Sequence, residues 1–234
     1  MQSKHTFFII VFGISLFLPL ACSSNGKSEI PVAAQTSNAN EPTIKESPTP
    51  KAPTITPPQI ISRQEWKAKD SIGEMKKQTP EHITIHHTAS PQKEKISIEK
   101  KMQILQNFSQ SESRLDSGKL KPVWPDIPYH YYIAVDGKIA EARDVNYAGD
   151  TNTDYNPSGH ILIVLEGNFE NEQPSDKQIL SLEELTAWLS FKWKIPASEV
   201  KAHNDYASTA CPGKNLKNLL PEIRKRIAEA TIMK

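Results

Sequence analysis

The chain has 234 residues, 37 % of them hydrophobic and 24 % charged, enough for one domain with a packed core. Lys plus Arg number 28 and Asp plus Glu 27, a formal net charge of +1, which argues against nucleic acid as a partner because phosphate binding calls for a basic excess. The two cysteines, Cys22 and Cys211, exclude a fold built on disulfides, so each thiol needs its own explanation.

Lys4 precedes an apolar run from Phe7 to Leu20, broken only by Gly13, Ser15 and Pro19. A short basic start and an apolar stretch of this length read as an export signal over residues 1–21, short for a membrane span. The run ends at Ala21-Cys22-Ser23-Ser24, which resembles a bacterial lipoprotein cleavage site. That resemblance implies lipidation of Cys22 and an exported protein anchored to the cell envelope. In an organism with two membranes it would sit on the periplasmic face of the outer one. Residues 23–58 hold Pro31, Pro42, Pro48, Pro50, Pro53, Pro57 and Pro58 and no aromatic side chain. Such a segment cannot bury enough apolar surface to offset its ordering entropy, so it is expected to be a disordered, semi-stiff tether.

Residues 59–234 are expected to form the domain, and their charges balance. Ser62-Arg63-Gln64-Glu65 before Trp66 is a capping-box pattern and predicts a short helix start. His82 to His86 alternates with β-branched residues and predicts a strand. Ile98, Met102, Leu105 and Phe108 recur at helical spacing, with Gly118 closing that segment. Tyr129–Val135 and Lys138–Ala142 flank Asp136-Gly137, a type I′ hairpin signal. The continuous apolar run Ile161–Leu165 suits a central strand covered on both faces. Ser175 to Gln178 caps a helix carrying Ile179, Leu182, Leu185 and Leu189, and a last helix carries Leu216, Leu219, Leu220, Ile223 and Ile227. Interleaved strands and helices predict an α/β single domain with a central mixed sheet flanked by helices on both faces.

The chemistry resides in histidines and one thiol. His82 and His86 have an H-x-x-x-H spacing, but Ile83 stands where a zincin carries Glu, and a strand separates the pair by about 13 Å. His82 is therefore read as a surface or strand-edge residue. His86 and His87 point to opposite faces of a strand, and alternation alone does not choose between them. His203-Asn204-Asp205-Tyr206-Ala207-Ser208-Thr209-Ala210-Cys211-Pro212-Gly213 suits a loop that folds back on itself. Two histidines and a thiolate from separate segments could give a three-ligand zinc site with an open fourth position.

Four segments together carry a specific resemblance. Ile83-Thr84-Ile85-His86-His87-Thr88-Ala89 resembles the first ligand strand of the zinc amidases of the peptidoglycan recognition protein and phage-lysozyme type. Tyr129 to Ile139 resembles their hairpin with its functional tyrosine, Glu166-Gly167-Asn168-Phe169 the end of their central strand, and His203 to Gly213 their second and third ligand segment. Ile61 to Trp66 resembles the opening segment of the recognition proteins, and the similarity runs from Ile61 to Leu220 in family order.

The resemblance implies that His86, His203 and Cys211 are the zinc ligands, with the first histidine of the pair chosen. It implies that Tyr129 is catalytic, and it places Thr209 at a catalytic position that holds Lys in the phage enzyme. Asn146-Tyr147-Ala148-Gly149 stands in place of the family's Trp-His-Ala-Gly, and Asn204 where Arg is common. Val164 stands where a cytosolic branch has a catalytic glutamate, so that branch's acid–base scheme is not expected here. His130 and His160 are read as structural, while Trp124 and Tyr131 are read as groove-lining or core. The expected activity is that of a zinc-dependent N-acetylmuramoyl-L-alanine amidase acting on peptidoglycan or muropeptides as a monomer. The alternative is a module that recognises peptidoglycan without cutting it. A purely structural zinc domain would call for a fourth protein ligand, and the domain has no second cysteine.

Overall fold

The computed structural model describes residues 55–114 and 118–232. The expected export signal, Cys22 and the tether up to residue 54 lie outside the described residues.

The run of residues that alternates least is the one at the centre of the sheet. Strand β7 (His160–Leu165) is buried at all six positions. It lies between β2 (His82–His87) and β5 (Tyr131–Ile133), parallel to both. Beyond β2 lies β8 (Val200–Ala202), also parallel. Beyond β5 come β6 (Ile139–Glu141), antiparallel to it, and β1 (Ile60–Ile61), parallel to β6. The sheet is therefore mixed, in the order β1-β6-β5-β7-β2-β8. Apolar residues on both faces of β7 require cover on both sides.

Alternation assigns the two faces. Ile83, Ile85, Tyr131, Ile133, Ile161, Ile163 and Leu165 form one core with Leu182, Leu185 and Leu189 of α2 (Asp176–Trp193) and Ile223 and Ile227 of α4 (Leu220–Ile232). On the other face Tyr132, Ala140 and Val164 pack with Trp66, Ile127 and Met102 of α1 (Ile98–Ser109). His86 is in register with Val164, and Val164 with Tyr132, so His86 belongs to the α1 side and His87 to the opposite one.

Four local expectations are corrected. Ser62 and Glu65 do make reciprocal capping bonds, Ser62 N–H to Glu65 Oε2 at 2.7 Å and Glu65 N–H to Ser62 Oγ at 3.3 Å. They close a single turn rather than a helix, because Lys67 turns into the left-handed region at φ 60°. Helix α1 stops at Ser109, well before Gly118, because the Ser109 carbonyl accepts Trp124 N–H and the buried Lys121 ammonium, both at 3.0 Å. Gly118, at φ 78°, belongs instead to the connection between β3 (Ser113–Arg114) and β4 (Leu120–Lys121). The β5–β6 turn is not type I′, since Gly137 has positive φ and Asp136 does not. Gly137 N–H donates to Ala134 O and Ala134 N–H to Lys138 O, a longer loop with glycine in the left-handed position. The last helix is two, α3 (Lys214–Lys217) and α4, because Pro221 has no N–H to continue the ladder from Lys217 and suits a first helical turn.

The cap at Ser175 is as expected: its side chain accepts Gln178 N–H while Gln178 reaches back to Ser175 N–H. Ser175 also donates its hydroxyl to Val135 O at 2.7 Å, tying α2 to the hairpin.

Candidate metal centre

Parallel pairing brings the first two residues together. Ile85 is opposite Ala202, so His86 near the carboxyl end of β2 lies beside His203, which follows β8 directly. Their ring centroids are 4.4 Å apart. His203 opens a single 3-10 turn, His203–Asp205, closed by the Asp205 carboxylate accepting Ala202 N–H at 2.9 Å. Lys217 donates to both Asn204 Oδ1 (2.7 Å) and Asp205 Oδ1 (2.9 Å), holding the turn against α3.

Cys211 reaches the same place on a folded-back loop. Asn204 N–H donates to Cys211 O at 2.9 Å, Cys211 N–H to Thr209 Oγ1 at 3.2 Å, and Gly213 N–H to Ala210 O at 2.7 Å. The Cys211–Pro212 peptide is cis. Beyond it the loop lies on the turn after β7: Asn215 N–H donates to Phe169 O at 3.0 Å and Lys214 N–H to Glu170 Oε1 at 2.8 Å. Gly213 is required there twice over. Its φ is 87°, and a Cβ would stand 2.4 Å from the Phe169 carbonyl carbon.

His87 has a different task from its neighbour. Its Nδ1 accepts Phe169 N–H at 3.2 Å, so it holds the turn on which the Cys211 loop rests. Its pKa is pushed down to about 4 by burial, with Glu170 opposing, so the ring is neutral and available as acceptor. Its backbone N–H donates to Cys211 Sγ at 3.4 Å.

The donor set suits a metal ion. One ligand atom from each of His86, His203 and Cys211 lies within 4.8 Å of the others. His86 Nδ1 is 3.6 Å from Cys211 Sγ. A tetrahedral zinc with ordinary Zn–N and Zn–S lengths would separate those atoms by about 3.6 Å. His203 Nδ1 is buried and has no hydrogen-bond partner, as a nitrogen turned toward a metal would be; on His86 the unpartnered atom is Nε2, the ring nitrogen other than the one near Cys211 Sγ. Buried polar atoms without partners are costly and call for an explanation. Burial lowers both histidines, His203 to about 4 with His87 adding to the effect, so their lone pairs are free. Burial pushes the Cys211 thiol up to about 12, the His87 N–H acting the other way; a bound cation would displace its proton.

Tyr129 flanks this set, its ring 5.2 Å from that of His86. The chain there is clamped by the buried Arg143, whose N–H donates to Tyr129 O and whose guanidinium donates to Ile127 O and Asp126 O. Burial, then Cys211 and Tyr155, raise the phenol well above its ordinary range, so it is a hydrogen-bond donor at neutral pH. Thr209 uses its side-chain oxygen to hold Cys211 N–H. Tyr131 lies in the core on the α2 side of the sheet, which removes it from any groove at this site. Trp124 is covered by the Lys121 ammonium at 4.6 Å. His130 donates from Nε2 to Tyr147 O and accepts Leu162 N–H on Nδ1, both at 2.8 Å, and His160 Nδ1 pairs with Thr84 Oγ1. His82 pairs with Glu199 at 2.8 Å.

Two residues at the site carry no sequence signal. Tyr155 places its ring 5.1 Å from His203, and Thr153 Oγ1 lies 2.7 Å from His203 Nε2. Both belong to the irregular segment between β6 and β7, where neither periodicity nor spacing marks them.

The family model described as N-acetylmuramoyl-L-alanine amidase matches residues 76–214. Peptidoglycan recognition protein 1 of Mus musculus is 30 % identical over 165 residues, covering 67 % of this chain and 83 % of that protein. Among solved structures, Drosophila peptidoglycan recognition protein SD matches with a TM-score of 0.61 at 27 % identity, over 70 % of this chain and 94 % of that one. The N-acetylmuramoyl-L-alanine amidase LysC of Clostridium intestinale matches with a TM-score of 0.57 at 26 % identity, over 73 % and 97 %.

Proposed function

The chain belongs to the N-acetylmuramoyl-L-alanine amidase family, and within it we propose a zinc hydrolase that cuts the amide between N-acetylmuramic acid and L-alanine in peptidoglycan or muropeptides. The observation that carries this reading is the convergence of His86, His203 and Cys211, with His86 Nδ1 3.6 Å from Cys211 Sγ and His203 Nδ1 buried and unpartnered, beside the Tyr129 ring. Three protein ligands leave a fourth position open, as catalytic zinc sites do and closed structural sites do not. Zinc held there would supply a Lewis acid for the scissile carbonyl and acidify water toward neutral pH.

The chain's own residues do the rest. Tyr129, kept protonated by burial, donates its hydroxyl to the carbonyl oxygen as negative charge develops on it. One such donor is worth about 3 kcal/mol of transition-state stabilisation. Arg143 fixes the backbone that carries Tyr129, which keeps that donor preorganised. Thr209 contributes by holding Cys211 N–H; a hydroxyl brings no positive charge, so charge stabilisation rests on the metal and Tyr129.

The recognition proteins among the relatives favour a second reading, binding without cleavage. Cys211 at the donor set supports the enzyme. Digestion of purified muropeptides, followed by mass spectrometry with and without a chelator, separates the two. Release of free stem peptide that stops on chelation is expected; intact muropeptides that bind the metal-loaded protein would establish the recognition module instead.

Export and attachment through a lipid on Cys22 are part of the proposal, supported by the apolar run before Ala21-Cys22. Mass spectrometry of the membrane-extracted protein should find a mature chain that begins at a lipid-modified Cys22, and an unmodified Cys22 would overturn this part of the proposal.

A further inference from the structure

The His203 ring packs against two others, His86 at 4.4 Å and Tyr155 at 5.1 Å between ring centroids. Such packing restrains the plane of an imidazole but not its direction. A half-turn about the Cβ–Cγ bond leaves the flat outline nearly unchanged. It exchanges Nδ1 with a carbon and Nε2 with another carbon. Packing alone therefore does not decide whether a nitrogen lone pair faces His86 and Cys211.

A hydrogen bond does decide it. Thr153 Oγ1 lies 2.7 Å from His203 Nε2. Thr151 Oγ1 lies 2.8 Å from Thr153 Oγ1 and also accepts Thr153 N–H at 3.1 Å. In the flipped ring a carbon would replace Nε2 and the bond would be lost. The same contact sets the tautomer. If Nδ1 is to offer a lone pair, the proton must be on Nε2. Nε2–H then donates to Thr153 Oγ1, and the Thr153 hydroxyl donates to Thr151 Oγ1. The Nε2–H and the Thr153 hydroxyl then each have an acceptor, and Nδ1 is left buried and unpartnered, as observed. The opposite tautomer would place a buried N–H on Nδ1 with no acceptor.

We infer that Thr153, backed by Thr151, is a positioning residue that fixes the flip and tautomer of His203 so that Nδ1 is presented to the metal. This rests on the proposal that His203 is a zinc ligand. Groups that orient ligand histidines typically change metal affinity ten- to a hundredfold when removed. The role requires only a hydroxyl at this distance, so serine should serve and valine should not, although valine keeps the shape of threonine.

The test uses the purified full chain, with zinc as the probe. Zinc affinity is measured by competition with a chelator of known affinity for wild type, Thr153→Val and Thr153→Ser, alongside melting curves of the metal-free forms. Expected are a ten- to hundredfold loss for valine, serine within about threefold of wild type, and metal-free melting temperatures close to one another. Long-range proton–nitrogen spectra of the metal-free proteins give a second reading. His203 should be the Nε2–H tautomer in wild type and in Thr153→Ser, and a mixture in Thr153→Val. Zinc affinity within twofold for valine, or an unchanged tautomer, would overturn the inference. A wild-type chain that binds no zinc would instead overturn the metal assignment, and the tautomer spectra would still judge Thr153.

Discussion

Removing a single hydroxyl separates the two jobs open to Tyr129, a packing ring against His86 or a donor at the reacting carbonyl. Tyr129→Phe keeps the ring and its 5.2 Å contact. It should retain zinc and melting temperature while losing about a hundredfold or more in kcat, with KM changed much less, because the oxyanion needs the donor more than the ground-state carbonyl does. Steady-state kinetics on a defined muropeptide decide it, and turnover within about threefold of wild type would make Tyr129 a packing residue. A second pair of substitutions tests the ligand set. Cys211→Ser should lose zinc and activity together, since a hydroxyl replaces a thiolate poorly. His87→Ala should keep about one zinc per chain but lower stability by about 1–3 kcal/mol, because Phe169 N–H is left without its acceptor. Metal analysis finding the site empty in His87→Ala and filled in His86→Ala would reverse the assignment within the pair. Alternation along β2 left that pair open in the sequence. The resemblance chose His86, and the structure adds the physical difference: His87 Nδ1 already holds Phe169, whereas His86 faces His203 and Cys211.

The elements that build the site differ in how plainly they were written. The apolar run of β7 and the box at Ser175 are local patterns, and both formed where expected. The end of α1 was not legible, whereas the break between α3 and α4 follows from Pro221, which stands in the sequence. Ser109 is stopped by donors from Lys121 and Trp124, which lie beyond the helix and arrive only when the chain folds back. The Cys211 loop depends in the same way on the turn after β7. Gly213→Ala tests that dependence. It forces a Cβ toward the Phe169 backbone at a φ of 87°, so the loop must lift from the turn. Overpacking of this kind typically costs about 1–3 kcal/mol, and the left-handed backbone adds to it. A lowered melting temperature together with weakened zinc binding is expected; a variant that melts and binds as wild type would show that the loop does not need this seat.

Zinc in this site would stitch β2 to the turn after β8 and the neighbouring loop before α3, both far along the chain from it. Binding to the folded state alone adds stability by mass action, about 2.7 kcal/mol at a free zinc concentration a hundred times Kd. Chelation should therefore lower the melting temperature of the wild-type chain by several degrees and leave Cys211→Ser unmoved. An equal response in both would mean that the stabilising ion binds elsewhere. The same reach explains what could be read before folding and what could not. Strand, helix and cap signals arise between residues a few positions apart, where backbone geometry alone makes neighbours, so the mixed α/β architecture and the motifs bearing His86, His203 and Cys211 stood in the amino-acid order. The partner of His203, 50 residues away at Thr153, and the approach of His86 to Cys211, 125 residues apart, depend on strand register and loop docking. Tyr131, open between groove and core in the sequence, went to the far side of the sheet because β5 pairs with β7 in the register that places it among Ile133, Ile163 and α2. No local pattern encodes such contacts; packing creates them.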